Sequence, residues 1–287
     1  MRVKMSFYIA DSELEKIIEE DVNPLDLTSQ LMDLSRFNAK ISYIARHDMV
    51  ICCTEESARI CTTIGLTVKN YLSSGTFVKK GQVFFEAFGR ADKIHLAWKS
   101  VLRLLEGYSG IATKTKEFVD ISKKYNNHVN IVTTRKSAAG TKKLSIKAVI
   151  SGGAYPHRMG LSETVLIFNE HLIFLKDDSE LQNTLEIMKS KVLEKKIGIE
   201  TDNHEIGLKY VKMGFDFIQL DKLSPKEVEN FIKDAKSVNQ KITVACAGGI
   251  NIENIEEYAK TGVDVIVTSS LYFTKPADIK ALIEKID

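Results

Sequence analysis

The chain divides by the rhythm of its apolar positions. Apolar runs at 130–133, 164–168, 196–200, 215–221, 241–247 and 263–269 alternate with stretches whose apolar residues recur at helical spacing. Those helical stretches lie near 141–151, 180–194, 203–213, 225–238 and 252–261. A strand that is apolar throughout is buried on both faces. Joined by helices, such strands build right-handed β/α units around a parallel sheet. Six or seven of them predict an incomplete or seven-stranded α/β barrel, with a doubly wound open sheet as the alternative.

Residues 1–90 follow no such repeat. The spacing predicts a helix over 11–21 with Asp11 as its N-cap candidate, a strand over 38–45, an apolar run over 49–53 and a helix over 55–64. Gly75, Gly81 and Gly89 punctuate β-rich runs and predict a strand–turn–strand unit. Such Gly-spaced hairpins also occur in lipoyl-like carrier domains. Lys79 and Lys80, however, precede Gly81 in a wide turn, so the segment is read as part of an N-terminal sandwich. From Ile94 a long helical tract passes Trp98, Leu102 and Leu105 and ends near Lys124, with an expected interruption at 107–110.

The 287 residues suggest one large domain or two modest ones, and a second domain would have to share the chain with a barrel below the roughly 250 residues of an eightfold one. Hydrophobic residues at 44% and charged residues at 27% are globular values, and 4 Pro with 16 Gly leave no low-complexity linker. Lys and Arg number 40 against 38 Asp and Glu, a net charge of +2, which argues against a broad nucleic-acid face. No run approaches the roughly 20 apolar residues of a membrane span. Residues 1–11 hold no apolar core for a leader, so the expected compartment is the cytoplasm. Cys52, Cys53, Cys61 and Cys246 have no zinc spacing and read as small buried residues of a reducing compartment.

The ends of the barrel strands change the picture. In β/α barrels chemistry gathers at the C-terminal strand ends. Here those ends carry Thr133 to Lys136, Phe168 to His171, Glu200, Asp221 with Lys222, Ala247 to Gly249, and Thr268 to Ser270. His157 and Arg158 lie between the first two strands. Each residue alone has a plain structural reading as a cap, a turn or a solvated charge. Together they would line one mouth. Its cations would be Arg135, Lys136, His157 and Arg158, with Lys142 and Lys147 as further members. Its carboxylates would be Glu200 and Asp221, and its phosphate-type turns Gly248–Gly249 and Ser269–Ser270. A phosphate-rich substrate with a ribose and a magnesium ion satisfies all three kinds of group.

The residues that carry a resemblance are Thr134 to Lys136, GGAYPHRMGLSE (152–163), GIE (198–200), QLDK (219–222) and AGGI (247–250), with SGIAT (109–113) and Asp26 to Thr28 further upstream. In these the chain resembles the quinolinate phosphoribosyltransferases from about Phe7 to Ile279. KAVISGGAYPHR (147–158), QLDKLSP (219–225) and VTS (267–269) resemble more closely a branch of that family, the ModD proteins.

The resemblance implies an N-terminal α/β sandwich domain plus an incomplete, about seven-stranded, parallel α/β barrel. The domains would be 1–105 and 106–273, with a C-terminal helix over 274–287 packing on the first. It implies a homodimer, or a higher oligomer, with the active site shared between subunits. The partner chemistry is a small phosphorylated molecule, not nucleic acid or membrane. The implied reaction is Mg²⁺-dependent transfer of phosphoribosyl from phosphoribosyl pyrophosphate to an acceptor nitrogen. Carried over residue by residue, Lys136, Glu200 and Asp221 are catalytic, and the two carboxylates meet Mg²⁺ through the substrate. Lys99, Arg135, His157, Arg158, Phe168 and Lys222 would bind substrate, and Gly248, Gly249, Ser269 and Ser270 the 5′-phosphate.

The departures concentrate at the acceptor. Lys99 stands where quinolinate enzymes carry an Arg that reaches across the dimer, and Lys lacks the planar fork. Phe168 stands where they place a Lys. Lys222 and Glu170 replace Asn, and Ser269 replaces Gly. The phosphate and ribose groups are kept while the acceptor pocket is rewritten, so quinolinate is expected to be a poor substrate. Two other functions fit parts of the pattern: authentic quinolinate phosphoribosyltransferase in NAD synthesis, and a non-catalytic protein that binds a nucleotide or an oxyanion such as molybdate.

Overall fold

The computed structural model describes residues 7–22 and 24–287; Met1 to Ser6, most of the stretch searched for a leader, lie outside it. The chain divides into two units. One comprises residues up to Lys116 with Ala138–Gly153 and Tyr272–Asp287, and the other Glu117–Ser137 with Ala154–Leu271.

The first unit opens with α1 (Asp11–Glu19), capped by Ala10 with Asp11 in the first turn rather than at the cap itself. In α2 (Leu27–Leu31) the Asp26 carboxylate caps by accepting the Ser29 N–H. The strands β1 (Asn38–Ala45), β2 (Met49–Val50), β3 (Thr67–Tyr71), β4 (Phe77–Val78) and β5 (Val83–Arg90) and the helix α3 (Thr54–Thr63) follow. The two strands around Gly81 exist as expected but do not pair with each other. β4 pairs with β2, while β5 lies between β1 and β3. The Tyr43 hydroxyl ties this sheet to α4 (Ala91–Tyr125) by donating to the Trp98 carbonyl at 3.0 Å.

α4 runs unbroken for 35 residues, so the expected interruption at 107–110 is corrected. The glycine there serves a close approach instead. A β-carbon on Gly110 would stand 2.5 Å from the Lys275 carbonyl, where the chain of 275–277 crosses the helix and Ala277 donates to the Glu106 carbonyl.

The second unit supplies the parallel sheet. Its strands are β6 (Asn130–Thr133), β7 (Tyr155–Pro156), β8 (Val165–Ile167), β9 (Ile197–Thr201), β10 (Phe217–Asp221), β11 (Thr243–Ala247) and β12 (Val265–Thr268). They lie in the order β7-β6-β12-β11-β10-β9-β8, and every described pairing among them is parallel. α5 (Lys142–Gly152) belongs to the first unit. α6 (Asn169–Leu172), α7 (Asp178–Lys191), α8 (His204–Met213), α9 (Pro225–Val238) and α10 (Ile255–Lys260) connect the strands. Local chemistry sets the helix ends. Ser224 and Glu227 form a capping box with Pro225 at the first turn of α9, and Gly214 closes α8 at a φ of +91°.

The sheet is rolled. β7 and β8 are its two ends, about 29 Å apart in a flat sheet at ~4.8 Å per strand. Yet the Arg158 guanidinium, just after β7, lies 6.0 Å from the Phe168 ring, just after β8. The His157 ring meets the Phe217 ring of β10 edge-on at 6.1 Å. Only a barrel interior brings such side chains together. The fold is therefore the expected α/β architecture, a sandwich and a seven-stranded parallel barrel rather than a flat open sheet.

The C-terminal helix expected over 274–287 is corrected. β13 (Ile279–Ile286) is a strand, antiparallel to β1 and completing the four-stranded sheet β13-β1-β5-β3. Its apolar positions suit either period. A long-range partner, Asn38 to Ala45, satisfies its backbone as a strand.

Candidate active site

Parallel strands place all their C-terminal ends on one side, and residues in register share a face. Gly198 on β9 is opposite Phe217 on β10, and Glu200 opposite Gln219. The next strand places Ala245 beside Gln219 and Ala247 beside Asp221. The interior is thus polar along β9 and β10. Beside it the adjoining strands carry an apolar cluster of Val132, Ala245, Ala247 and Val267, with Val265 against them. Gly198 is required where it stands, since a β-carbon there would enter the Phe217 ring at 2.2 Å.

Glu200 accepts a hydrogen bond from the Gln219 side-chain amide. Burial raises its proton affinity above that of an ordinary carboxylate. The Gln219 bond opposes this, Asp221 and Glu170 add to it, and Lys136 counters it. The structure thus brings Glu200, Asp221 and Lys136 into one electrostatic neighbourhood. Asp221 ends β10 with Lys222 Nζ 3.5 Å from its carboxylate. Lys222 takes a left-handed φ of +58°, costly for a side-chain-bearing residue, and its N–H is held by the Ala247 carbonyl at 2.9 Å.

Gly248 and Gly249 follow β11 at φ of +89° and +71°. The Asn251 and Asn254 amides both donate to the Gly249 carbonyl. The Thr268 hydroxyl donates to the Ile250 carbonyl at 2.7 Å and accepts the Ser270 N–H at 3.0 Å. The two phosphate-type turns, one with Gly248 and Gly249 and the other with Ser269 and Ser270, are therefore one braced structure on adjacent strands.

The cations sit nearby. Arg158 is 8% exposed and donates to the Thr164 carbonyl at 3.2 Å. Burial lowers its proton affinity and Arg135 lowers it further, a stress that an anion would relieve. His157 is half-buried and held below the usual imidazole value by burial and then by Arg158. Arg135 and Lys136 are exposed. Phe168 stacks on His171 at 5.8 Å, and the His171 Nδ1 accepts the Phe168 N–H at 3.0 Å. The Arg158 guanidinium lies 6.0 Å from the Phe168 ring of that stack.

Lys99 and Lys142 belong to the first unit. Lys99 is exposed with Nζ 4.4 Å over the Trp98 ring. Lys147, counted among the mouth cations, is corrected. It is buried in the first unit, bonded to Glu55 at 2.9 Å and Glu56 at 2.5 Å, so its charge is already neutralised. The four cysteines are buried and free, as read. Gln219 had no assigned role from the sequence. Its signal was a polar side chain in mid-strand, between Ile218 and Leu220.

Two family models match end to end: the quinolinate phosphoribosyl transferase N-terminal domain over residues 26–109 and its C-terminal domain over 111–281. The chain belongs to the quinolinate phosphoribosyltransferase family. That family is one of pentosyltransferases. The ModD protein of Pasteurella multocida (strain Pm70), a pyrophosphorylase by name, is 34% identical over 97% of this chain and 99% of its own. The ModD protein of Escherichia coli O157:H7 is 28% identical over 96% of this chain and 98% of its own. The resemblance to the ModD branch is thereby borne out. Among solved structures, NadC from Streptococcus pyogenes superposes with a TM-score of 0.88 at 21% identity, over 98% of this chain and 100% of that one, a likeness of fold. No helix among the described residues is long and apolar enough to cross a membrane.

Proposed function

We propose that the chain is a Mg²⁺-dependent phosphoribosyltransferase that moves phosphoribosyl from phosphoribosyl pyrophosphate to an acceptor other than quinolinate, releasing pyrophosphate. One observation carries the reading: the Gly248–Gly249 turn follows the strand beside that of Asp221, whose other neighbour carries Glu200, and the Ser269–Ser270 turn braces it from the next strand along. Backbone N–H groups of such turns suit a 5′-phosphate, and the carboxylates suit a ribose.

In that role Arg135, Lys136 and Arg158 hold the negative oxygens of the substrates, and His157 donates a hydrogen bond beside them. Glu200 and Asp221 face the ribose carbon as it gains positive charge while pyrophosphate departs. Lys222 and Lys99 add charge at the substrate, and Phe168 gives the acceptor a flat wall. Among the described residues no group of three or more His, Cys, Asp or Glu gathers to hold a metal. The Glu200–Asp221 pair, with its mutual repulsion, fits a Mg²⁺ shared with substrate oxygens rather than caged by protein. When bound, Mg²⁺ would neutralise the leaving pyrophosphate.

Phe168 limits which acceptor can bind. An apolar ring removes a cation that a second carboxylate would need, so a dicarboxylate loses a partner. We extend the reading to a cytoplasmic homodimer in which Lys99 serves the partner's site, checked by sedimentation.

The deciding experiment incubates the protein with labelled phosphoribosyl pyrophosphate, Mg²⁺ and a metabolite extract. A labelled nucleotide product should form and be lost in Glu200→Ala. Robust quinolinate-dependent release of pyrophosphate and CO₂ would replace this acceptor reading with that of an NAD-synthesis enzyme. Mg²⁺-independent molybdate binding with no pyrophosphate exchange would replace it with an oxyanion binder.

A further inference from the structure

Gln219 stands mid-way along β10, on the barrel interior between Phe217 and Asp221, which share its face. Its register neighbours are Glu200 on β9 and Ala245 on β11. The residue is 5% exposed. Its amide nitrogen donates to Glu200 Oε2, while its amide oxygen is buried with no hydrogen-bond partner among the described residues.

An amide with its acceptor unmet is a poor choice for stability. A Met or Leu would fill the same space in this partly apolar interior without burying an orphaned oxygen. The bond that this side chain does make goes to Glu200. Around that carboxylate, Lys136 attracts while Asp221 and Glu170 repel, so an unanchored Glu200 would be drawn from its place. The amide engages one carboxylate oxygen, Oε2, and leaves Oε1 for a ligand.

We propose that Gln219 is a positioning residue for the phosphoribosyl site: it anchors one oxygen of Glu200 so that the other meets the ribose. The inference rests on the phosphoribosyl reading of the site for its ligand. It does not rest on it for the anchoring itself.

The test is a double-mutant cycle read by calorimetry with phosphoribosyl pyrophosphate and Mg²⁺. Gln219→Met keeps length and removes the donor. It should weaken binding about tenfold, the scale of one hydrogen bond to a charged group, while leaving the melting temperature unchanged or higher. In a Glu200→Ala background the same substitution should change affinity no further, because the role passes through Glu200. An equal loss in both backgrounds would overturn the proposal. Crystal structures of the unliganded wild type and Gln219→Met give a second arm. A shifted Glu200 side chain supports the anchoring, and an unmoved one refutes it. Failure of the wild type to bind phosphoribosyl pyrophosphate would sink the phosphoribosyl reading and leave the crystallographic arm to decide the anchor.

Discussion

Asp221 Oδ1 stands 2.7 Å from the place a β-carbon would take on Gly248, and Lys222 N is equally close. The last residue of β10 and the first after β11 are thus packed backbone against carboxylate. A side chain at Gly248 must displace either the Asp221 carboxylate or the strained Lys222 turn, in addition to adopting a φ of +89°.

That contact makes a graded prediction for the glycine pair. Gly249 also has a left-handed φ, but nothing lies within 4 Å of its absent β-carbon. Gly249→Ala should therefore cost only the backbone term, about 1–2 kcal/mol. Gly248→Ala should cost more and should also displace Asp221, reducing affinity for phosphoribosyl pyrophosphate beyond what stability explains. Urea unfolding and calorimetry on both variants check it; equal effects would contradict the packing argument.

A second prediction concerns the buried pair in the first unit. Glu56 has a side chain 3% exposed and Lys147 one 10% exposed. Lys147→Met strands a buried carboxylate and should cost about 3–5 kcal/mol, whereas Lys147→Met with Glu56→Gln should recover much of the loss. Chemical denaturation of the single and double variants decides between an ion pair and mere packing. Because Lys147 is absorbed here, its loss should lower stability far more than affinity for an anionic ligand.

The barrel was legible because its strands are mostly apolar and α7, α8 and α9 carry side-chain caps, so local and long-range signals agree. What escaped the sequence had no local signal. β7 is two residues long and cannot display a period. The segment of β13 satisfies helical and alternating patterns alike, and only its pairing with β1, far away in sequence, selects the strand. Gly110 reads as a helix break, yet it is a docking point for backbone some 165 residues later (110 to 275). The candidate site was legible where residue type is specific, as at Asp221, Gly248 and Arg158. It misled at Lys147, whose partners Glu55 and Glu56 come from another element.

Acid should expose the same cluster. Burial pushes the Glu55 carboxyl up, but the Ser74 hydroxyl and then Lys147 outweigh it and bring it down to about 2, from an ordinary value of 4.5. A depressed carboxylate stabilises the fold above its unfolded value and loses that contribution as pH falls toward the folded one. Stability should therefore decline as pH drops from 4.5 toward 2. Glu55→Gln should flatten the decline. A wild-type slope retained in Glu55→Gln would assign it to other carboxylates.

His157 sets a separate pH dependence, in the second unit. Burial and then Arg158 hold its imidazole below the ordinary value of 6.5, which favours the uncharged form in the free protein. An anion beside it favours the charged form and raises that value. Protonation and anion binding are then linked, and affinity must rise as pH falls through the interval between the bound and free values. Sulfate does not titrate in this range, so its affinity isolates the protein's contribution. Calorimetry should find tighter sulfate binding on the acid side of 6.5 than at pH 8, with proton uptake on binding. His157→Gln, which keeps a donor but cannot titrate, should bind sulfate with no such slope. A slope that survives in His157→Gln would mean that another group takes up the proton and that the imidazole does not meet the anion.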